Sequence, residues 1–291
     1  MITNNILIAS LAIFFSSIFF VTNDAIINYL SSINITFYHF IFYGSPAYLI
    51  VPISLLFSGS LKKNLQCTNY SIPIIRGLIF APMPFITFIS LKNITLPEFT
   101  TLNMAAPIIG SIYATIFLKE KLNLYIYISL IVGFLGVLFV IQPGFENFNL
   151  YFLVTLFGVM LITTTTTIVN KFNNVTSTVG YFIYGGSFIH LISFILFIYD
   201  PIKISFYEFF LITVASILIN IAIYLATLAF KTAQKHYSSI FCLVYLQIIW
   251  SSLIGIFVFN EFLNLFAYIG ASLIILSGII SVPGQLKQIN E

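Results

Sequence analysis

Charge is what this sequence has least of. Asp, Glu, Lys and Arg make up 7% of its 291 residues, where soluble domains carry roughly 25%. So few polar groups cannot cover a water-facing surface, and the 60% hydrophobic content makes lipid the expected solvent. The net charge of +3 is small and unclustered, which argues against a nucleic-acid surface. Cysteine is scarce too. Cys67 falls in a polar segment and Cys242 in an apolar one, and neither suggests a disulfide. The three histidines lie in different segments, and no His/Cys/Asp/Glu set has ligand spacing, so neither a metal nor another cofactor is expected. No Gly-rich phosphate loop with a Walker-type lysine is present, which removes ATP as a driving force. No Lys or Arg precedes Lys62, and no small-residue cleavage site follows the first apolar run. That run therefore reads as a spanning helix and not as a signal peptide.

What is abundant is apolar sequence in lengths of about 20 residues, the span of a bilayer. Cutting at polar and Gly/Pro clusters predicts an all-α, polytopic protein of ten transmembrane helices, at 6–30, 35–57, 72–91, 97–118, 124–141, 149–170, 178–199, 206–229, 237–258 and 265–283. The chain also repeats itself. FIFYGS at Phe40–Ser45 returns as FIYGGS at Phe182–Ser187, 142 residues on, and LKEKLNL at Leu118–Leu124 returns as FNEFLNL at Phe259–Leu265, 141 on. This predicts two homologous halves, 1–144 and 145–291, of five helices each. Five is odd, so the second half must enter the membrane inverted, which is the plan of many secondary transporters. With both termini cytoplasmic, the inner side holds Lys62, Lys63, Arg76, Lys119, Lys121, Lys171, Lys231, Lys235 and Lys287, and the outer side only Lys92 and Lys203. Positive charge gathers inside, as topology requires.

The chain resembles the drug/metabolite transporter superfamily, specifically the EamA-type ten-helix carriers. The resemblance rests on IRGL at Arg76, SLKNITLPEFTTLNMAAP ending at Pro107, and FLKEKLN followed by Gly133–Gly136. In the second half it rests on Tyr245–Gln247, FNEFLN and Gly270–Gly278. Asn23-Asp24 and Asn170-Lys171 look most like the branch containing bacterial S-adenosylmethionine carriers. Two departures stand out: aromatic residues surround Phe42 where many relatives have Arg, and Ile248 stands where the repeat would place a partner for Pro107. The resemblance implies a cavity walled by helices 1, 3, 4, 6, 8 and 9. The substrate it implies is amino-acid-, nucleoside- or S-adenosylmethionine-like.

Candidate site residues follow from polar groups set in apolar helices. Thr100, Asn103, Pro107, Ser111 and Thr115 recur every three or four residues, one helical face that either lines a watery cavity or bonds a neighbour. Pro107 removes a backbone hydrogen bond and frees a carbonyl. Ser10, Ser17 and Asp24 form a second stripe on helix 1. A mid-helix carboxylate costs roughly 2.5–3.5 kcal/mol to insert, so Asp24 is the leading candidate for substrate or proton binding. His39 and Glu98 lie at similar depth toward the outer side, so the three could form a proton relay or be three helix-end residues. The inverted partner of Asp24 falls near Thr167, in the run Thr163–Thr167. Those hydroxyls can face a substrate or bond back to their own helix. Asn220, Tyr245 and Gln247 complete the proposed substrate set. Glu120 and Glu261 sit in the hairpins closing each half and are read as structural, favouring the helix N-termini that follow.

The function expected is a secondary transporter of the cytoplasmic (inner) membrane, carrying a small organic metabolite by alternating access. Its partners are that metabolite, the lipid bilayer, and either protons or a counter-transported metabolite. An intramembrane lipid-modifying enzyme would need clustered catalytic groups, which the scattered histidines do not offer. A passive channel is the third reading.

Overall fold

A computed structural model describes residues 2–33, 35–120, 122–141, 149–233, 236–260 and 265–290. The boundary expected between the halves, 144/145, and Glu261 lie outside them. The described residues are helical and turn segments, with no strand among them. Seven helices are long and apolar enough to cross a membrane, and three shorter apolar ones lie at Leu124–Gly136, Leu243–Phe259 and Tyr268–Ile280. These are the places where the sequence puts helices 5, 9 and 10.

The helices are α1 (Ile2–Ser32), α2 (Phe37–Phe57), α3 (Leu61–Leu65), α4 (Ser71–Phe80), α5 (Met83–Asn93), α6 (Leu96–Asn103) and α7 (Ala106–Tyr113), then α8 (Leu124–Ile141), α9 (Leu150–Lys171), α10 (Thr178–Tyr199), α11 (Phe206–Ala233), α12 (Tyr237–Cys242), α13 (Gln247–Phe259) and α14 (Leu265–Asn290). Three spans expected to be continuous are interrupted. The third breaks between α4 and α5, where Pro82 and Pro84 withhold two backbone donors. The fourth breaks at Met104-Ala105, between α6 and α7. The ninth is broken by the tight turn Leu243–Leu246 between α12 and α13. Pro107 therefore does not sit mid-helix with a bond missing, as expected. It stands in the first turn of α7, where its absent N–H costs nothing.

Packing is set by small residues and by rings. Gly44 of α2 lies directly on Ser216 of α11, and a Cβ there would collide with the serine hydroxyl. The antiparallel pair α2 and α10 is stacked at two levels: Phe42 on Phe197 with centroids 3.6 Å apart, and Tyr48 on His190 at 4.0 Å. Ser16 of α1 donates to the Ala222 carbonyl of α11 at 2.9 Å, and Ser129 of α8 donates to Ser277 of α14 at 2.8 Å. Outward, residues such as Leu56, Phe57, Ile131, Phe134, Phe206 and Ile279 are exposed. Continuous apolar skin of this kind suits acyl chains and not water.

Candidate functional site

A cavity of about 220 Å³ lies inside the bundle, walled by residues of α1, α2, α4, α5, α6, α7, α9, α10, α11, α12 and α13. The second and seventh spans thus join the wall beside the six the resemblance implies. Most of its surface is apolar, with Phe20, Phe40, Phe80, Phe88, Phe99, Phe182, Phe230 and Phe241 prominent. Polar groups are few and separated: Asn23, Asp24, Tyr48, Arg76, Asn103, His190, Asn220 and Gln247 among them. Such a wall, mainly apolar with sparse polar anchors, is the usual make-up of a small-molecule site.

Of the residues singled out in the sequence, Asp24, Asn103, Asn220 and Gln247 come together on this wall. Asp24 accepts a 3.3 Å hydrogen bond from Asn23. The amide of Asn103 donates to the Phe99 carbonyl at 3.0 Å, and that of Asn220 to Ser216 at 2.8 Å. Each leaves its amide oxygen available.

The other candidates stand off the wall. Ser17 is buried, donates to the Phe14 carbonyl at 2.6 Å and accepts from the Trp250 indole at 3.1 Å. Thr100 is buried and bonds back to Leu96. Ser111 is fully buried on α7. The fourth-span stripe therefore does not face one way: the break at Met104-Ala105 changes register between Asn103 and Ser111. Thr167 bonds to the Thr163 carbonyl and, at 2.7 Å, to the Tyr237 hydroxyl. All five threonines from Thr163 to Thr167 bond back along α9, and Thr166 alone of the five reaches the cavity. Tyr245 is buried against Gly133 of α8.

His39 and Glu98 are held at helix ends. His39 lies 2.8 Å from both the Thr36 hydroxyl and the Asp200 carbonyl, and 3.8 Å from the Asp200 carboxylate, which Tyr38 also engages. Glu98 closes a capping box, accepting from the backbone and hydroxyl of Thr95 at 2.9 and 3.0 Å. Neither lines the cavity with Asp24, so a three-residue relay is not assembled here. In the hairpin after the fourth span, the side chain capping α8 is Asn123, which accepts from Ile126 at 3.0 Å. Glu120 bonds through its backbone to Ala114 at 3.1 Å.

Arg76, Tyr48 and His190 were missed as wall residues. Arg76 was counted only among the inner-side charges, near the inner end of the third helix, yet it is 3% exposed, within α4. It donates to the Tyr181 carbonyl at 3.2 Å and lies 5.2 Å from the centre of the Phe80 ring. One signal could have flagged it: it is the sole arginine among eleven basic residues, and Arg suits fixed, desolvated anion contacts better than Lys. His190 bonds the Gly186 carbonyl at 2.8 Å, and its stacking partner Tyr48 donates to Ile183 at 2.6 Å. No group of three or more His, Cys, Asp or Glu that could hold a metal occurs among the described residues.

Membrane-length apolar helices packed around an internal cavity define a multi-pass membrane protein, and a wall of this composition suits solute binding. Residues 3–142 match the EamA-like transporter family, a likeness that spans nearly the first half of the chain. A relative in Helicobacter pylori, described as an uncharacterized transporter, is 26% identical over 213 residues, covering 70% of this chain and 71% of its own. A second strain has a relative of the same description that aligns equally. A crystal structure covering 97% of both chains superposes with a TM-score of 0.65 at 16% identity, a likeness of fold alone.

Proposed function

We propose that this protein is a secondary transporter of the cytoplasmic membrane that moves a small organic metabolite by alternating access between two inverted five-helix halves. One observation carries the reading. Wall residues recur in pairs 142 apart: Phe20 with Ile162, Asp24 with Thr166, Phe40 with Phe182, Gly44 with Gly186, Tyr48 with His190, and Phe88 with Phe230. A cavity lined by matching positions of two halves is what a carrier needs if rocking one half against the other exposes the same site to either side. Asp24 is the proposed coupling residue, neutralised in each cycle by a proton or a substrate cation, because an unpaired carboxylate within the membrane is costly. The wall favours a neutral, zwitterionic or cationic solute over a polyanion.

The test is uptake by proteoliposomes of a labelled metabolite mixture. Saturable uptake and counterflow are expected. Non-saturating conductance in a planar bilayer would replace the reading with a channel, and lipid turnover by the purified protein would replace it with an enzyme.

A further inference from the structure

We propose that the cavity takes an elongated dipolar metabolite in one orientation, its cationic end at Asp24 and its anionic end at Arg76. This rests on the transport reading and narrows it.

Among the described residues, Asp24 and Arg76 are the only Asp, Glu, Lys or Arg on the wall, and they carry opposite sign. They are not paired with each other; the one ion pair among the described residues is His39–Asp200. Asp24 has only the 3.3 Å bond from Asn23. Arg76 keeps its Nε without a partner, and so does the buried Oδ1 of Asn23 beside Asp24. Unpaired charges in a low-dielectric site are expensive, and a ligand bearing the complementary charges offsets both costs at once.

The two charges also sit at different depths. Arg76 reaches α10 at Tyr181 and Gly185. Asp24 lies eight residues beyond Ser16 on α1, and the antiparallel bond from Ser16 to Ala222 brings it near the level of Ser216, opposite Gly44. On α10 the level of Gly44 falls between His190 and Phe197, the partners of Tyr48 and Phe42. That is five to twelve residues past Gly185, or roughly 8–18 Å at 1.5 Å per residue. An α-amino acid carries both charges on one carbon and cannot reach both ends. A longer molecule with an apolar middle can, and the wall is rich in phenylalanine.

The repeat gives the orientation. Its apolar pairs, Phe40 with Phe182 and Phe88 with Phe230, look alike from either side. The charges do not: Asp24 corresponds to Thr166, and Arg76 to Leu218. The frame is nearly symmetric and the charge pattern polar, so a dipolar ligand has one favoured direction.

The test uses two isomers that differ only in charge separation, 8-aminooctanoate and 2-aminooctanoate, with octylamine and octanoate as single-charge controls. Thermal unfolding of the purified full-length protein reports binding, since a ligand raises Tm according to its affinity for the folded state. The 8-amino isomer is expected to raise Tm by several degrees and the other three compounds by less than one. Asp24→Asn and Arg76→Gln should each abolish the rise, and Arg76→Lys should restore part of it. Unliganded Tm and elution profiles show whether the variants fold. Equal shifts from the two isomers, an equal shift from either single-charge compound, or none from any compound overturns the proposal. Saturable uptake without preference for separated charges removes this proposal and leaves the transport reading. Absence of any uptake, with the isomers still distinguished, removes the transport reading and leaves a binding site.

Discussion

Lys119 and Asn260 are 141 residues apart and hold the same left-handed backbone, with φ/ψ of 56°/31° and 55°/29°. Each ends its span by donating its N–H to the carbonyl five residues earlier, Lys119 to Ala114 and Asn260 to Gly255. They are the only non-glycine residues of positive φ among the described residues. Left-handed backbone costs an L-residue roughly 1 kcal/mol, less for Asn than for Lys. Lys119→Gly should therefore stabilise the protein by up to about 1 kcal/mol, and Lys119→Val should destabilise it by more. Unfolding in detergent measures both, and a Val variant as stable as the wild type would contradict this backbone.

The contact between Gly44 and Ser216 predicts a rescue. Gly44→Ala places a methyl against the serine side chain, and overpacking of that kind costs about 1–3 kcal/mol. Removing the obstruction with Ser216→Gly in the same chain should recover part of the loss. Additive losses in the double variant would mean that the two helices do not meet at this point.

Accessibility separates the two ends of the fourth span. With Cys67 and Cys242 replaced by alanine, Asn103→Cys should react with a small aqueous thiol reagent and Ser111→Cys should stay protected. Reaction at Ser111 alone would reverse the face assigned to this span.

Function and stability should separate between Asp24 and His39. Asp24→Asn is expected to abolish or uncouple uptake while leaving folded protein in the membrane. His39→Ala should lower Tm, because it unties α2 from the Asp200 turn, and should leave uptake near the wild-type rate. Unchanged uptake and unchanged pH dependence in the Asp24 variant would reduce that residue to an interfacial polar group.

Tyr237 is fully buried, and its hydroxyl bonds to Thr166 and Thr167 and, at a longer 3.4 Å, donates to the Thr163 carbonyl. Tyr237→Phe removes all three contacts, but Thr166 and Thr167 keep their bonds to the Thr163 carbonyl of their own helix. The cost should therefore be only about 1 kcal/mol. A loss above roughly 3 kcal/mol would mean the phenol holds α9 and α12 together in some further way.

Most of the helical plan was legible because apolar run length reports bilayer thickness directly. What was hidden is what a regular helix cannot foresee. Polar spacing on the fourth span gave a single stripe only by assuming one unbroken register, and the turn at Met104-Ala105 splits it. His39 and Glu98 drew notice as charges at useful depth, but Asp200 and Thr95 hold them, and neither contact follows from spacing. Arg76 was counted with the inner-side cations because it lies only five residues past Ser71, the start of its helix; its contact with Phe80, four residues on, is local, but burial against Tyr181 of α10 is a tertiary fact. Asp24 and Asn103 were readable because a polar side chain on an apolar helix advertises itself by contrast.

The opposite signs of Asp24 and Arg76 bear on energetics as well as recognition. With both ionised they add no net charge to the cavity, and a zwitterion adds none either. Moving one elementary charge through 100 mV is worth about 2.3 kcal/mol, but a reorientation that carries no net charge draws nothing from that source. Where the cationic end of the solute, and not a proton, neutralises Asp24, such a cycle would be electrically silent, and the membrane potential could neither drive nor stall it. A potassium diffusion potential imposed across proteoliposomes should then leave flux unchanged, and only the concentration gradients of the solute and its partner would set its direction.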